Sequence, residues 1–303
     1  MLYEGVYYGI SGSNGDFDLM ASNDLFTWQP VNTPQGNVEA VSNLDGTLRL
    51  AVSSSETAVF VFDFDPVTMQ WDESFGAEPV ISGADLGLGA EIYDVELGIG
   101  GAAVVAGFPD SDVAMNDVLA LVPFGGDPVD VPIPSPWNGK VSPHEDGFLV
   151  NSLLVASDPE GAGVRIVSFD GQQTMPVAPA PESIVSIRAL PSGELLGVNT
   201  LGSGETSAIV VSEDPYENWV PIAEAPADEG CGSRFGASAD GELLLYYPYC
   251  DGHVWVSERG GEWVRSENVG LGDADSNVDA IDVIDGYAIL HTYEGTVSVE
   301  LPR

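Results

Sequence analysis

Positive charge is what this sequence has least of. Its basic side chains are one lysine, Lys140, and seven arginines, against 48 Asp and Glu, for a formal net charge of −40. A surface of that sign repels phosphate, which excludes nucleic acid and anionic membrane surfaces as partners. Long apolar runs are missing as well. None approaches the roughly 18 residues of a membrane span, so no membrane insertion is expected. Amphipathic helical periodicity is nearly absent. There is no Gly-x-Ser-x-Gly nucleophile turn, and no glycine loop opens a helix to cradle phosphate. The start, Met1-Leu-Tyr-Glu-Gly5, has neither the basic nor the apolar stretch of a signal peptide.

What is present is β-rich. Hydrophobic residues make up 44% of 303, enough for a substantial core. Apolar residues alternate, as in Thr57-Ala-Val-Phe-Val-Phe-Asp-Phe-Asp65, and Gly and Pro punctuate the chain every few residues. The acidic excess suits a salt-rich medium, where screening shortens the reach of self-repulsion to about 3 Å at 1 M salt, or an acidic secreted protein.

One turn recurs. Glu4-Gly5, Asp45-Gly46, Gly100-Gly101, Asp146-Gly147, Ser192-Gly193, Asp240-Gly241 and Asp285-Gly286 each precede an apolar run. Successive glycines are 41, 55, 46, 46, 48 and 45 residues apart. Such dipeptides suit two-residue hairpins with positive φ. A period of this size, with room for four strands A to D, predicts an all-β fold: a single β-propeller over 1–303 with four-stranded antiparallel blades. Seven blades are expected. The alternative is six, with the terminal strands sharing a blade. In the seven-blade reading the first unit supplies B, C and D and lacks A. The fifth unit is laid out as A 183–190, B 193–200, C 206–212 and D 218–223.

At the C–D turns, Ala21-Ser22-Asn-Asp24-Leu-Phe-Thr-Trp28 resembles the Ser-x-Asp-x-x-x-Trp skeleton of the Asp-box found in sialidase-like propellers. Ser212-Glu-Asp214-Pro-Tyr-Glu-Asn-Trp219 and Ser257-Glu-Arg259-Gly-Gly-Glu-Trp263 are degenerate copies, and Trp71 follows Asp63-Phe-Asp65 at a similar place. The resemblance implies a structural turn on the face opposite an active site. It also implies what a sialidase would need: three arginines, a Tyr nucleophile with Glu, and an Asp acid/base. No Arg-Ile-Pro segment opens the chain's pattern. Of the arginines, Arg188 and Arg234 fall on inner A strands, where carboxylate pairing is the expected role. The 48 acids leave open a two-carboxylate glycoside hydrolase without nominating a pair.

Binding residues are expected on the B–C and D–A loops, which share one face. The extra length of the 55-residue interval falls in 75–91 and 108–117, which includes Asp110 and Asp112. The next D–A loop offers Trp137 and Asn138, and Arg234 stands on the same side. Removing 77–89 is expected to spare folding and abolish binding. Asp273, Asp275, Asn277 and Asp279 alternate as calcium ligands would, without the EF-hand glycine. No other cofactor is expected. Cys231 and Cys250 flank the Asp240-Gly241 hairpin symmetrically, the register for a cross-strand disulfide, which would imply an oxidising compartment. The functional expectation is a non-catalytic binding or scaffold module, extracellular or on the cell surface, with a glycan or protein partner. The alternative is an extracellular glycoside hydrolase working through carboxylates of that face.

Overall fold

The structure is a computed structural model that describes the chain except residues 14–15, 44–45, 55–56, 73–78, 87–90, 108–117, 132–139, 145–146, 153–162, 170–183, 191, 200–206, 214–217, 227–232, 239, 270–277, 293–294 and 303. It is all-β, a seven-bladed β-propeller of antiparallel sheets. The chain divides into two compact units, Met1–Ile10 with Asn14–Pro176, and Ser11–Ser13 with Val177–Arg303.

The first unit carries blades 1 to 4. Blade 1 runs β1 (Leu2–Tyr3), β2 (Val6–Ser13), β3 (Asp16–Ser22) and β4 (Gln29–Pro30). Blade 2 runs β5 (Asn37–Ser42), β6 (Arg49–Ser54), β7 (Ala58–Asp65) and β8 (Gln70–Asp72), with β9 (Ile81–Ser82) added against β7 and followed by a single helical turn, α1 (Gly83–Leu86). Blade 3 is β10 (Glu91–Leu97), β11 (Gly101–Gly107), β12 (Val118–Pro123) and β13 (Val129–Val131). Blade 4 shows β14 (Lys140–His144), β15 (Gly147–Ser152) and β16 (Gly163–Ser168).

The second unit carries blades 5 to 7. Blade 5 is β17 (Ile184–Ala189), β18 (Leu195–Asn199), β19 (Ala208–Ser212) and β20 (Val220–Glu224), within two residues of the expected layout. Blade 6 is β21 (Ser233–Ala237), β22 (Leu243–Pro248), β23 (His253–Glu258) and β24 (Val264–Asn268). Blade 7 shows, among the described residues, β25 (Val278–Ile284), β26 (Tyr287–Thr292) and β27 (Gly295–Glu300). The six-blade alternative fails, because among the described residues the first and last sheets share no strand. The first blade also has the A strand that the sequence reading denied it: Leu2–Tyr3 pairs with Val6–Tyr7.

The core lies between neighbouring blades, which explains the composition of the middle strands. A strand covered on both faces needs apolar residues at every position rather than at alternate ones. So β6 is buried along nearly its whole length, while the outer strand β20 is largely exposed. One cluster joins Leu19, Leu50 and Val52 across blades 1 and 2; another joins Leu196, Ile209, Leu244 and Tyr246 across blades 5 and 6. Each fully buried Leu or Ile contributes about 1.5–3 kcal/mol from the area it removes from water.

The recurring turns are not all of one kind. Tyr3-Glu4-Gly5-Val6 and Ile284-Asp285-Gly286-Tyr287 are two-residue hairpins with positive φ at both central positions. In blades 5 and 6 the loop is longer: Gly193 N donates to Leu190 O and Gly241 N to Ser238 O, with the glycine at positive φ. At Gly100-Gly101 neither φ is positive. Space is the requirement there, since a Cβ on Gly101 would stand 2.3 Å from Val122 O.

Two of the described C–D turns are closed by an aspartate. Phe26 N and Thr27 N donate to Asp24 Oδ1 at 2.9 and 2.7 Å, and these bonds hold the Asp24 carboxyl below its ordinary range. Asp65 closes its own turn through Thr68 Oγ1 and Val67 N, both at 2.8 Å. The tryptophans then tie blades together. Trp71 Nε1 donates to Asn32 O at 3.1 Å, and Trp263 Nε1 to Glu224 O at 2.6 Å, each reaching back 39 residues to the preceding blade.

The expectation that 77–89 is a dispensable loop is overturned in part. Ile81 is fully buried and Leu86 nearly so, both within the core of blades 2 and 3, and Val80 N donates to Val59 O at 2.8 Å. Within it, Ile81–Ser82 is an added strand anchored in the core.

Candidate functional site

Arg234 is the predicted binding residue that the structure places. It lies one residue into β21, opposite Tyr247 of β22. The D–A connection enters that end of blade 6 and the B–C turn leaves it, so Arg234 stands on the side where binding is expected. Its guanidinium lies 5.5 Å from the centre of the Tyr249 ring, which in turn meets Tyr247 edge-on at 6.1 Å. Tyr249 Oη donates to Val278 O at 3.3 Å, where β25 begins. Ser233 Oγ donates to Tyr246 Oη at 2.7 Å. The ring under Arg234 is therefore held by its hydroxyl and by a neighbouring ring. An arginine over an aromatic face gains about 0.5–1 kcal/mol where exposed, more where desolvated.

A second group of rings and charges lies beside the B–C turn. Trp255 Nε1 donates to Asp251 Oδ2 at 2.5 Å, and Arg265 lies 5.9 Å from the Trp255 ring with Asp251 at 3.8 Å. Near its B–C turn blade 6 thus carries Tyr247 and Tyr249 on the face toward blade 7 and Trp255 on the face toward blade 5, each with an arginine beside it. Such a mixture suits polar ligands with apolar faces: the rings supply area and the charged groups fix orientation.

Further along the inner strands is a second charged group. Arg188 Nη1 of β17 donates to Asp282 Oδ1 of β25 at 3.2 Å, and His291 Nε2 of β26 approaches Asp282 Oδ2 at 3.5 Å. Burial acts to raise the Asp282 pKa. The His291 hydrogen bond and the Arg188 charge outweigh it, and the carboxyl is held far below its usual range. Such a carboxylate is a weak proton acceptor at neutral pH. Its stabilising contribution is present above the ordinary Asp value of about 4 and is lost only as pH falls well below that. The Asp282 and Arg188 side chains are 38% and 39% exposed, so solvent screens the pair. Sequence reasoning does not single out Asp282, because among 48 acids nothing local distinguishes it. The usable signal was its place on an inner strand, three residues before a turn dipeptide.

Two further arginines have structural partners. Arg49 Nε donates to Asp63 Oδ1 at 2.7 Å, and its guanidinium lies 4.6 Å from the Phe124 ring centre. Arg259, read from sequence as a lost motif Asp, grips Glu194 through two bonds of 2.6 and 2.9 Å. That pair ties the A–B turn of blade 5 to the C–D turn of blade 6.

Asp110, Asp112, Trp137 and Asn138 lie outside the described residues, as do Asp273, Asp275 and Asn277. Asp279 lies within β25. Among the described residues no three His, Cys, Asp or Glu groups are placed to hold a metal ion. Cys231 is also outside. Cys250 stands in the turn after β22, two residues beyond Pro248, which pairs with Ser233 in the register expected to bring the cysteines opposite each other.

No protein-family model matches the chain, and no curated protein matches it either. Solved structures do match. An oligogalacturonate lyase in complex with manganese superposes with a TM-score of 0.71 at 13% identity, over 99% of this chain and 86% of the other. The oligogalacturonate lyase of Vibrio parahaemolyticus gives 0.70 at 10% identity, covering 99% and 87%. Virginiamycin B lyase from Staphylococcus aureus gives 0.58 at 12%, covering 97% and 94%. At these identities the likeness establishes the seven-bladed fold and does not place the chain in the sialidase-like family.

Proposed function

We propose that the chain is a non-catalytic binding module that takes a glycan or protein partner on the B–C and D–A side of the propeller, with Arg234 and Tyr249 in contact with it. The observation that carries this reading is the arginine held over an anchored tyrosine in a chain with only eight basic residues. Oligogalacturonides are natural probes, because proteins of like fold include lyases of that name.

A glycan array of neutral and uronic-acid oligosaccharides is expected to show binding that Arg234→Ala weakens about tenfold, without release of reducing sugar. Sugar release by the unaltered protein, lost in an inner-strand carboxylate variant, would establish the glycoside hydrolase instead. An extracellular setting belongs to the same proposal and rests on the cysteine register. Denatured protein labelled without reductant is expected to expose no free thiol. Two titratable thiols would remove both the Cys231–Cys250 bond and the export argument.

A further inference from the structure

The C–D turns of blades 1 and 2 are built alike. In Asp24-Leu25-Phe26-Thr27 and Asp65-Pro66-Val67-Thr68 the aspartate accepts from the backbone N–H two positions on, and its other oxygen accepts from the threonine hydroxyl three positions on. The third residue of each turn is left in solvent: Phe26 is 61% exposed and Val67 89%. Met69, 70% exposed, follows at a φ of 56°, a conformation that suits glycine or asparagine better than a long side chain. The C–D turns of blades 3 and 6 place glycine pairs, Gly125-Gly126 and Gly260-Gly261, at their tips. The fold therefore does not require an apolar tip.

Charge sets these tips apart further. Residues 1–131, which supply blades 1 to 3, contain 21 Asp and Glu, no lysine and no histidine. Their one arginine, Arg49, is buried and bonded to Asp63. The A–B and C–D turns share one end of the blades, and Glu4, Asp24 and Asp127 are exposed there. Beside Phe26 a cleft of about 370 Å³ is lined by Asn23, Asp24, Thr27 and Gln29, and no basic side chain is among its lining residues. The base of the second turn is tied to blade 1 through the Trp71 bond to Asn32 O.

We propose that this end of blades 1 and 2 docks a partner protein through an apolar patch bordered by Lys and Arg, with Phe26, Val67 and Met69 packed against the patch and a basic side chain in the cleft beside Asp24. Opposite charge draws the partner in at long range, and the apolar tips supply the hold once water is excluded. Turns closed by their own aspartates present the tips in one conformation, so little ordering entropy is lost on contact. A second copy, itself at −40, is repelled by the same field. An uncharged bilayer offers apolar depth but no counter-charge for Glu4, Asp24 and Asp127, so a basic protein fits better.

The probe is a fluorescein-labelled amphipathic helical peptide of about 14 lysines and leucines, read by anisotropy beside a peptide of equal charge with serine for leucine. Saturable binding with a Kd on the order of 10 µM is expected for the leucine peptide, and about tenfold weaker binding for the serine peptide. Phe26→Ser with Val67→Ser is expected to weaken the leucine peptide about tenfold and leave the serine peptide unchanged. Met69→Gly, which suits the positive φ, is expected to weaken the leucine peptide severalfold without lowering the thermal midpoint. Raising salt from about 0.1 to 0.5 M is expected to weaken both peptides severalfold. Circular dichroism should be unchanged in the variants. Arg234→Ala should bind the leucine peptide as the unaltered protein does, which separates this surface from the glycan site. Equal binding of the two peptides, indifference to the tip variants, or no saturation by about 1 mM would overturn the proposal. So would phosphatidylcholine vesicles that retain the unaltered protein and release the Phe26→Ser, Val67→Ser variant, which assigns the tips to a membrane. A dimer in sedimentation that the same variant dissolves would overturn it too, by assigning them to a second copy.

Discussion

Replacing Ile81 with alanine is expected to lower stability by about 3 kcal/mol, one of the two largest effects anticipated for a single substitution in this chain. Ile81 is fully buried in the cluster that holds Val59, Val61 and Val104 of blades 2 and 3. It pairs with Val59, so its side chain is fixed by a strand rather than draped from a loop. Truncation removes the transfer free energy of the lost carbons and leaves a cavity that a paired strand resists closing. Urea denaturation should show the loss as a lower midpoint at unchanged slope. Val67→Ala is the matched control: that side chain is 89% exposed, and its loss should be within about 0.5 kcal/mol. A midpoint for Ile81→Ala equal to the control would mean that the stretch is a surface insertion after all.

Gly236→Ala is expected to cost about 2–3 kcal/mol for a different reason. The glycine lies in β21 without positive φ, so an alanine is conformationally acceptable there. The obstacle is space. A Cβ would stand 2.3 Å from Ile281 O and 2.9 Å from Ile281 Cγ2. The first of these is backbone, and it yields only if β21 and β25 separate. Asp282 follows Ile281 directly, so the shift should also lengthen its bond to Arg188. Gly286→Ala makes the contrast. That residue has φ of 82° and nothing within 4 Å of an added Cβ, so its cost is conformational, about 1 kcal/mol. Thermal unfolding of the two variants should rank them in that order. The reverse order would show that inner strands adjust more readily than turns.

The two substitutions mark the boundary between what could be read from the residues and what could not. Hairpin turns and strand alternation depend on neighbours a few positions away. The turn glycines therefore announced the blade period, and the strands of blade 5 fell within two residues of their expected limits. The Ser22-x-Asp24 turn was legible for the same reason, since its donors lie within three residues of the carboxylate. Arg234 could be assigned to an inner strand from its place before Asp240-Gly241.

Its partner Tyr249 could not be foreseen, because that contact forms only when two strands pair. The identity of the acid beside Arg188 was equally out of reach. Asp282 is 94 residues away, and 48 acids compete on paper for every arginine. The short first strand, Leu2–Tyr3, and the added strand at Ile81 were hidden because two residues carry no periodicity, and only the sheets that receive them make them strands. Blade number and turn positions were thus determined by the sequence alone, through interactions local along the chain. Tertiary structure decided which glycines serve conformation and which serve space, and which charges meet, because those depend on groups the chain brings together from 14 to 94 residues apart.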